Sequence, residues 1–210
     1  MKKSFSKLNL LSQDYISPFK NGVSRWFQLD QDYAILSLTF PYYDYLRGQV
    51  FIDDLRQVYE GEVSEQFDFI ALLTLLHDDF LSQMQKGVRS HKDTAEFLMN
   101  SKLHYFKKTK PKPIGEMRQV KSNTFIFDFE EEEEEVDLAE EDNVVMEMTS
   151  KKSKIQRTEI LLYDLSQHME KERVTVEQLI TLLYLDFIYR IKKEGNDEKV
   201  MRNIIRLIEK

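Results

Sequence analysis

The 210-residue sequence predicts a mainly α-helical protein with a minor β hairpin, made of two small helical parts joined by a charged connector. Apolar residues recur every three to four positions on both sides of the middle of the chain, as they do on the buried faces of amphipathic helices. The middle itself is dominated by lysine, proline and glutamate, which supply little to bury. These patterns predict an N-terminal helical domain over 1–107, a connector over 108–152 and a three-helix C-terminal domain over 153–210.

Three helices are expected in the N-terminal domain, over residues 50–60, 64–86 and 94–107. Ser64 and Asp93 are interpreted as N-caps, because their side chains can accept a hydrogen bond from the first turn of the helix that follows. Gly87 is expected to end the second helix, since glycine readily adopts the left-handed conformation found just after a helix.

The segment upstream of these helices has two open interpretations. Leu36, Leu38 and Phe40 alternate with small polar residues, which favours a strand closed by Pro41. A helix that begins after Asp30 and kinks at the proline is the alternative.

In the C-terminal domain, helices are expected over about 155–171, from Thr175 to Gly195, and over about 197–209. Thr175 and Gln178 have the three-residue spacing of a capping box. The order of a helix, a short extended break at 172–176 and a capped helix resembles winged-helix domains in general. The three helices therefore form either a small bundle or the helical part of a winged helix whose strands come from 172–176 and from a hairpin near 124–148.

Charge is distributed unevenly along the connector. Residues 101–127 carry seven bases and one acid, whereas residues 128–142 carry eleven acids and no base. Two outcomes are open for this region. Either Thr124–Phe129 pairs with Val144–Met148 as a hairpin with a long acidic loop, or the connector is a disordered linker.

Motifs of common catalytic sites are missing from the sequence. With no cysteine, thiol nucleophiles and Cys-ligated metals are excluded, and six scattered glycines leave no Gly-rich phosphate loop. His77 and Asp78 form the dipeptide of HD-class metal phosphohydrolases, but no histidine precedes them to complete a metal site. We interpret His77 as a residue at a helix end, beside two solvated aspartates. The sequence therefore predicts no catalytic residue, no cofactor and no metal site, and a protein that is not an enzyme.

Aromatic residues are the best candidates for a binding surface, because tyrosine and tryptophan are good interface anchors. No apolar run approaches the roughly 20 residues of a membrane span. We expect a cytoplasmic regulatory or adaptor protein that binds another protein and no membrane, with self-association left open. The predicted partner-binding residues are Trp26, Tyr42, Tyr43, Tyr45, Phe125, Phe127 and Phe129.

Binding to nucleic acid is the alternative function. Lysines flank the acidic block on both sides, and basic segments beside aromatic residues suit phosphate contacts and base stacking. In this alternative the acidic block modulates the flanking basic segments. The lysines that would contact nucleic acid are Lys107, Lys108, Lys110, Lys112, Lys151, Lys152 and Lys154.

Overall fold

The computed structural model describes residues 5–8, 32–106, 110–113, 118–121, 124–126, 129–132, 142–169, 173–195 and 197–209. The fold of these residues is mainly α-helical with minor antiparallel β structure, as predicted. In chain order the elements are β1 (Tyr33–Pro41), α1 (Tyr42–Val58), α2 (Phe69–Gln85), α3 (His91–Phe106), β2 (Lys110–Pro113), β3 (Arg118–Lys121), β4 (Thr124–Ile126), β5 (Phe129–Glu132), β6 (Asn143–Lys151), α4 (Lys152–Leu165), a 3-10 turn (Ser166–His168), α5 (Val176–Glu194) and α6 (Glu198–Ile208).

The strands β1 and β6 pair in antiparallel register along all nine residues of each strand. In β1, Leu36, Leu38 and Phe40 are fully buried, while the residues between them are more exposed. This alternation is what a strand with one buried face produces. The strand interpretation of this segment is therefore confirmed, and the strand ends at Pro41 as expected.

One of the two outcomes left open for the connector, the pairing of Thr124–Phe129 with Val144–Met148, is wrong. β6 pairs with β1, whereas β4 pairs with β3 and β5 pairs with β2. Met148 is fully buried in the same core as the inward side chains of β1, so the pairing with β1 places an apolar side chain of β6 in that core.

Two helices of the N-terminal part have N-caps other than the predicted Ser64 and Asp93. The Asp68 carboxylate, not the Ser64 hydroxyl, caps α2 and accepts a hydrogen bond from the Ala71 N–H at 2.8 Å. At the start of α3, the Ser90 hydroxyl accepts a hydrogen bond from the Asp93 N–H at 3.1 Å. Asp93 thus lies inside the first turn of α3, where its charge favours the helix dipole.

The capping box predicted for the longest C-terminal helix is confirmed. The Thr175 hydroxyl accepts a hydrogen bond from the Gln178 N–H, and the Gln178 side chain accepts one from the Thr175 N–H. The helix ends at Gly195, whose φ of 76° lies in the left-handed region.

Helices from both sides of the connector contribute to one hydrophobic core. α5 packs against β1 and against helices of both parts, α1, α2, α3 and α4. Fully buried side chains come from the N-terminal part, such as Phe51 and Leu72, and from the C-terminal part, such as Leu162 and Leu182. The division of the chain into domains over 1–107 and 153–210 stays a prediction.

The described residues do not supply the strands that the winged-helix resemblance implies. Residues 173–175 belong to no strand, and Val176 already begins α5. β6 pairs with a strand of the N-terminal part rather than with 124–126. The C-terminal helices therefore pack against β1 and the N-terminal helices, in place of the strands of a winged helix.

Each long strand runs directly into a helix. The Tyr42 N–H at the start of α1 donates to the Asp142 carbonyl, and the Lys152 N–H at the start of α4 donates to the Asp32 carbonyl, both at 2.8 Å. β1 and β6 form a two-stranded ribbon. Because the two strands are antiparallel, α1 and α4 begin at opposite ends of this ribbon. Each is followed by two more helices, so residues 33–106 form one strand–helix–helix–helix unit and residues 143–208 form another.

Candidate protein-binding surface

One side of α1 is apolar and exposed. Its inner side is buried through Phe51, Ile52 and Leu55. On its outer side, Tyr43 is 70% exposed and Val50 is 57% exposed, and neither side chain carries a charge. Leu46 lies between them and is 37% exposed. The spacings of three and four residues place these side chains on one helical stripe.

A shallow depression of about 310 Å³ lies beside this stripe. It is lined by Tyr43, Leu46, Arg47 and Val50 of α1 and by Ile191 of α5. We call Tyr43, Leu46, Val50 and Ile191 together the α1 face.

Charged side chains border the α1 face. The Asp44 carboxylate, whose side chain is only 14% exposed, lies 2.7 Å from the Arg47 guanidinium and 2.6 Å from the Lys192 ammonium. Two cations therefore share one carboxylate. The rim of the α1 face carries a net positive charge through these three groups.

The three predicted tyrosines of α1 separate into two environments. Tyr42 is 41% exposed, and its ring meets the Tyr43 ring edge-to-face with 5.7 Å between centroids. Tyr45 points the other way: its ring lies 4.9 Å from the Phe69 ring, and its hydroxyl accepts a hydrogen bond from the Gln49 amide. Tyr42 and Tyr43 thus share the outer surface, whereas Tyr45 packs against the core.

The other predicted partner-binding residues are not placed on this surface. Trp26 and Phe127 lie outside the described residues. Phe125 is on β4 opposite Gln119, and Phe129 is on β5 opposite Pro113, in two separate strand pairs.

The lysines of the alternative function are dispersed. Lys107 and Lys108 lie outside the described residues. On β2, the register places Lys110 opposite Glu132 and Lys112 opposite Glu130.

The remaining three lysines lie where β6 passes into α4. Lys151 ends β6 and Lys152 begins α4. The Lys154 ammonium lies 2.6 Å from the Asp78 carboxylate. One positive charge of this cluster is therefore already compensated.

His77 is a core residue in the middle of α2, not a residue at a helix end. The Thr158 hydroxyl donates to the Lys154 carbonyl at 2.9 Å, so it accepts from the protonated Nε2 of His77, also at 2.9 Å. Nδ1 is buried with no hydrogen-bond partner among the described residues. Burial lowers the pKa of His77 to about 4, against a smaller opposing effect of Asp78.

Sequence reasoning missed most of the α1 face. Leu46, Val50 and Ile191 are not among the predicted residues, because that prediction rests on aromatic residue type. The spacing of Tyr43, Leu46 and Val50 was visible in the sequence, out of phase with the apolar residues Phe51 and Leu55 that face the core. A second apolar stripe on one helix is the signal that would have found this surface.

No group of three or more metal-ligating side chains occurs among the described residues. None of the helices described is both long and apolar enough to cross a membrane. No protein-family model, no curated protein and no solved structure matches the chain.

Proposed function

We propose that this chain is a non-enzymatic regulatory or adaptor protein of the cytoplasm, and that it binds another protein through the α1 face. The observation that carries the proposal is an apolar stripe exposed on a helix whose opposite side already supplies the core. Exposed contiguous apolar surface in a folded protein is typical of interaction sites.

A comparison with α4 supports this interpretation. α1 and α4 both follow a strand of the ribbon without a loop, and their first N–H groups make the same hydrogen bond. The second and fifth residues are Tyr43 and Leu46 in α1 but Ser153 and Gln156 in α4. Since the same kind of helix accepts polar residues at these positions, folding does not require the apolar ones in α1.

The charges at the rim indicate the chemistry of the partner. Arg47 and Lys192 share the single carboxylate of Asp44, which leaves a net positive charge beside the apolar stripe. We expect the partner to present an amphipathic segment, with apolar side chains for the depression and a carboxylate for this rim. Tyr43 would be the anchor, since it is the most exposed aromatic side chain of the surface.

The nucleic-acid alternative has less support. Among its lysines whose side chains the structure describes, Lys154 is paired with Asp78. Free positive charge is what a phosphate-binding surface needs. We therefore propose a protein as the partner.

The proposal is tested by crosslinking from within the surface. A photo-crosslinking amino acid is placed at Tyr43 in one variant and at Val88 in a control variant, since Val88 is 64% exposed and lies outside the α1 face. In cells of the source organism, position 43 should give one dominant protein adduct that position 88 does not. Crosslinks to RNA or DNA at position 43, or identical products from both positions, would contradict the proposal.

A further inference from the structure

We infer that the chain contains two homologous units, residues 33–106 and 143–208, and is an intrachain counterpart of a symmetric homodimer. The units have the same order of strand and α-helices, β1–α1–α2–α3 and β6–α4–α5–α6, and the second unit adds the 3-10 turn Ser166–His168 between α4 and α5. Their strands pair in antiparallel register with Ser37 opposite Glu147, the fifth residue of each strand. A pairing centred on equivalent residues is what a local two-fold axis produces.

The junctions between strand and helix match in detail. The N-cap of α1 is Pro41, with φ −58° and ψ 134°, and the N-cap of α4 is Lys151, with φ −63° and ψ 132°. The two N–H groups that follow make reciprocal hydrogen bonds of 2.8 Å to the residue before the opposite strand. The first helix of each unit therefore begins with an equivalent hydrogen bond to the backbone of the other unit.

The second helices carry the strongest sequence match. Residues 72–80 read LLTLLHDDF in α2, and residues 179–187 read LITLLYLDF in α5, with six of the nine positions identical. The N-cap side chains, Asp68 and Thr175, both accept a hydrogen bond from the N–H three residues on. Apolar periodicity explains repeated leucines, but it does not explain a repeated threonine and a repeated aspartate at the same places.

Buried positions correspond in the other helices as well. Counted from the helix start, the seventh, eleventh and fourteenth residues are buried in both α1 and α4. The same holds for the fourth and eighth residues of α3 and α6. The equivalence thus extends over all four elements of each unit.

This correspondence pairs His77 with Tyr184 and Gly48 with Thr158. In the first interface between the units, α5 meets α1, and the Tyr184 hydroxyl donates to the Asp44 carbonyl at 2.6 Å. In the second interface, α2 meets α4: the Thr158 hydroxyl donates to the Lys154 carbonyl, and His77 donates to that hydroxyl.

Asp44 and Lys154 are both the third residue of their helices. The same carbonyl therefore receives a hydroxyl in both interfaces, from tyrosine in one and from threonine in the other. A Cβ at Gly48 would overlap the Tyr184 hydroxyl, so the larger ring needs the glycine. In the other interface the shorter histidine leaves room for the threonine.

Exchange of the pair tests the homology in the full-length chain. If the interfaces are equivalent, His77→Tyr is destabilising alone because the ring meets the Thr158 side chain, and Thr158→Gly removes that overlap. On the wild-type background, Thr158→Gly should lower the urea midpoint, since glycine is unfavourable inside a helix. On the His77→Tyr background it should raise the midpoint, by about 0.5 M.

The control is Ile160→Gly, an exposed position of the same helix, which should lower the midpoint equally on both backgrounds. Should the His77→Tyr chain not fold, the double variant must still give a cooperative urea transition. A Thr158→Gly change that lowers the midpoint on both backgrounds, or an unfolded double variant, would overturn the inference.

Discussion

The Tyr184 hydroxyl donates a hydrogen bond of 2.6 Å to the main-chain carbonyl of Asp44, and so joins α5 to the first turn of α1. The Tyr184 ring is fully buried and lies edge-to-face against Phe40 and Phe69, at 5.1 and 4.9 Å between centroids. This contact fixes the side of α1 that faces the core. It thereby sets which residues, Tyr43 among them, face outward.

Gly48→Ala should destabilise the protein through this contact. The added Cβ would overlap the Tyr184 hydroxyl and lie 2.9 Å from a ring carbon of Phe69. The overlap should cost about 1 to 3 kcal/mol of the free energy of unfolding, although alanine is the better helix former. Urea denaturation measures the loss, and Tyr184→Phe on the same background should recover part of it. Unchanged or increased stability of Gly48→Ala would show that the ring is not held against α1.

Stability should fall as the pH falls from about 6.5 to about 4. The pKa of His77 is lowered from 6.5 to about 4 in the fold, so below pH 6.5 the unfolded chain binds a proton that the folded chain does not. The contribution of the neutral His77 ring to the free energy of unfolding is therefore fully present above pH 6.5. About 3 kcal/mol of that free energy is lost once the pH has fallen through 4.

Urea midpoints between pH 7.5 and pH 4 measure this dependence in the wild type and in His77→Gln. Glutamine cannot take up the proton, so the variant should show a smaller decline over the same range. Equal declines in the two proteins would mean that groups other than His77 cause the loss.

The ion pair between Lys154 and Asp78 should contribute little to stability. Its side chains are 25% and 47% exposed, and a pair of that kind is screened by water and salt. Asp78→Asn should therefore lower the free energy of unfolding by less than about 1 kcal/mol, and less at high salt. If the same substitution created strong, salt-sensitive binding to RNA or DNA, the nucleic-acid function would gain the support it lacks.

A second α1-like face can be built on α4. Arg157 and Ile160 already correspond to Arg47 and Val50, and Met84 of α2 corresponds to Ile191, so the apolar stripe needs only Ser153→Tyr and Gln156→Leu. At the rim, Lys154 and Gln85 stand where the α1 face has Asp44 and Lys192. Because the two units are equivalent, this variant should bind two partner molecules where the wild type binds one. Light scattering of the complex measures the stoichiometry, and an unchanged ratio would show that the new stripe does not reproduce the surface.

Local patterns predicted the elements better than their pairing. The alternation around Leu36 and Leu38 and the capping box of Thr175 depend on neighbours within a few residues, and these predictions are confirmed. The pairing of β6 with β1 joins residues about 110 positions apart, and no short-range pattern specifies it.

The orientation of Tyr45 could not be predicted from its residue type alone. It depends on the phase of α1, which Pro41 and the Tyr184 contact set. The two units themselves were visible in the sequence, as the repeated leucine, threonine and aspartate pattern of residues 72–80 and 179–187.

The affinity of the partner captured through position 43 tests the central proposal most directly. It is measured by calorimetry against the wild type, Tyr43→Ser with Leu46→Gln, and the control Val88→Ser. The double variant carries the residues that α4 holds at the same positions, so its urea midpoint should stay near the wild-type value. We predict that it binds at least about 30-fold more weakly while the control is unchanged. Equal affinity for all three proteins would contradict the assignment of the α1 face as the binding surface.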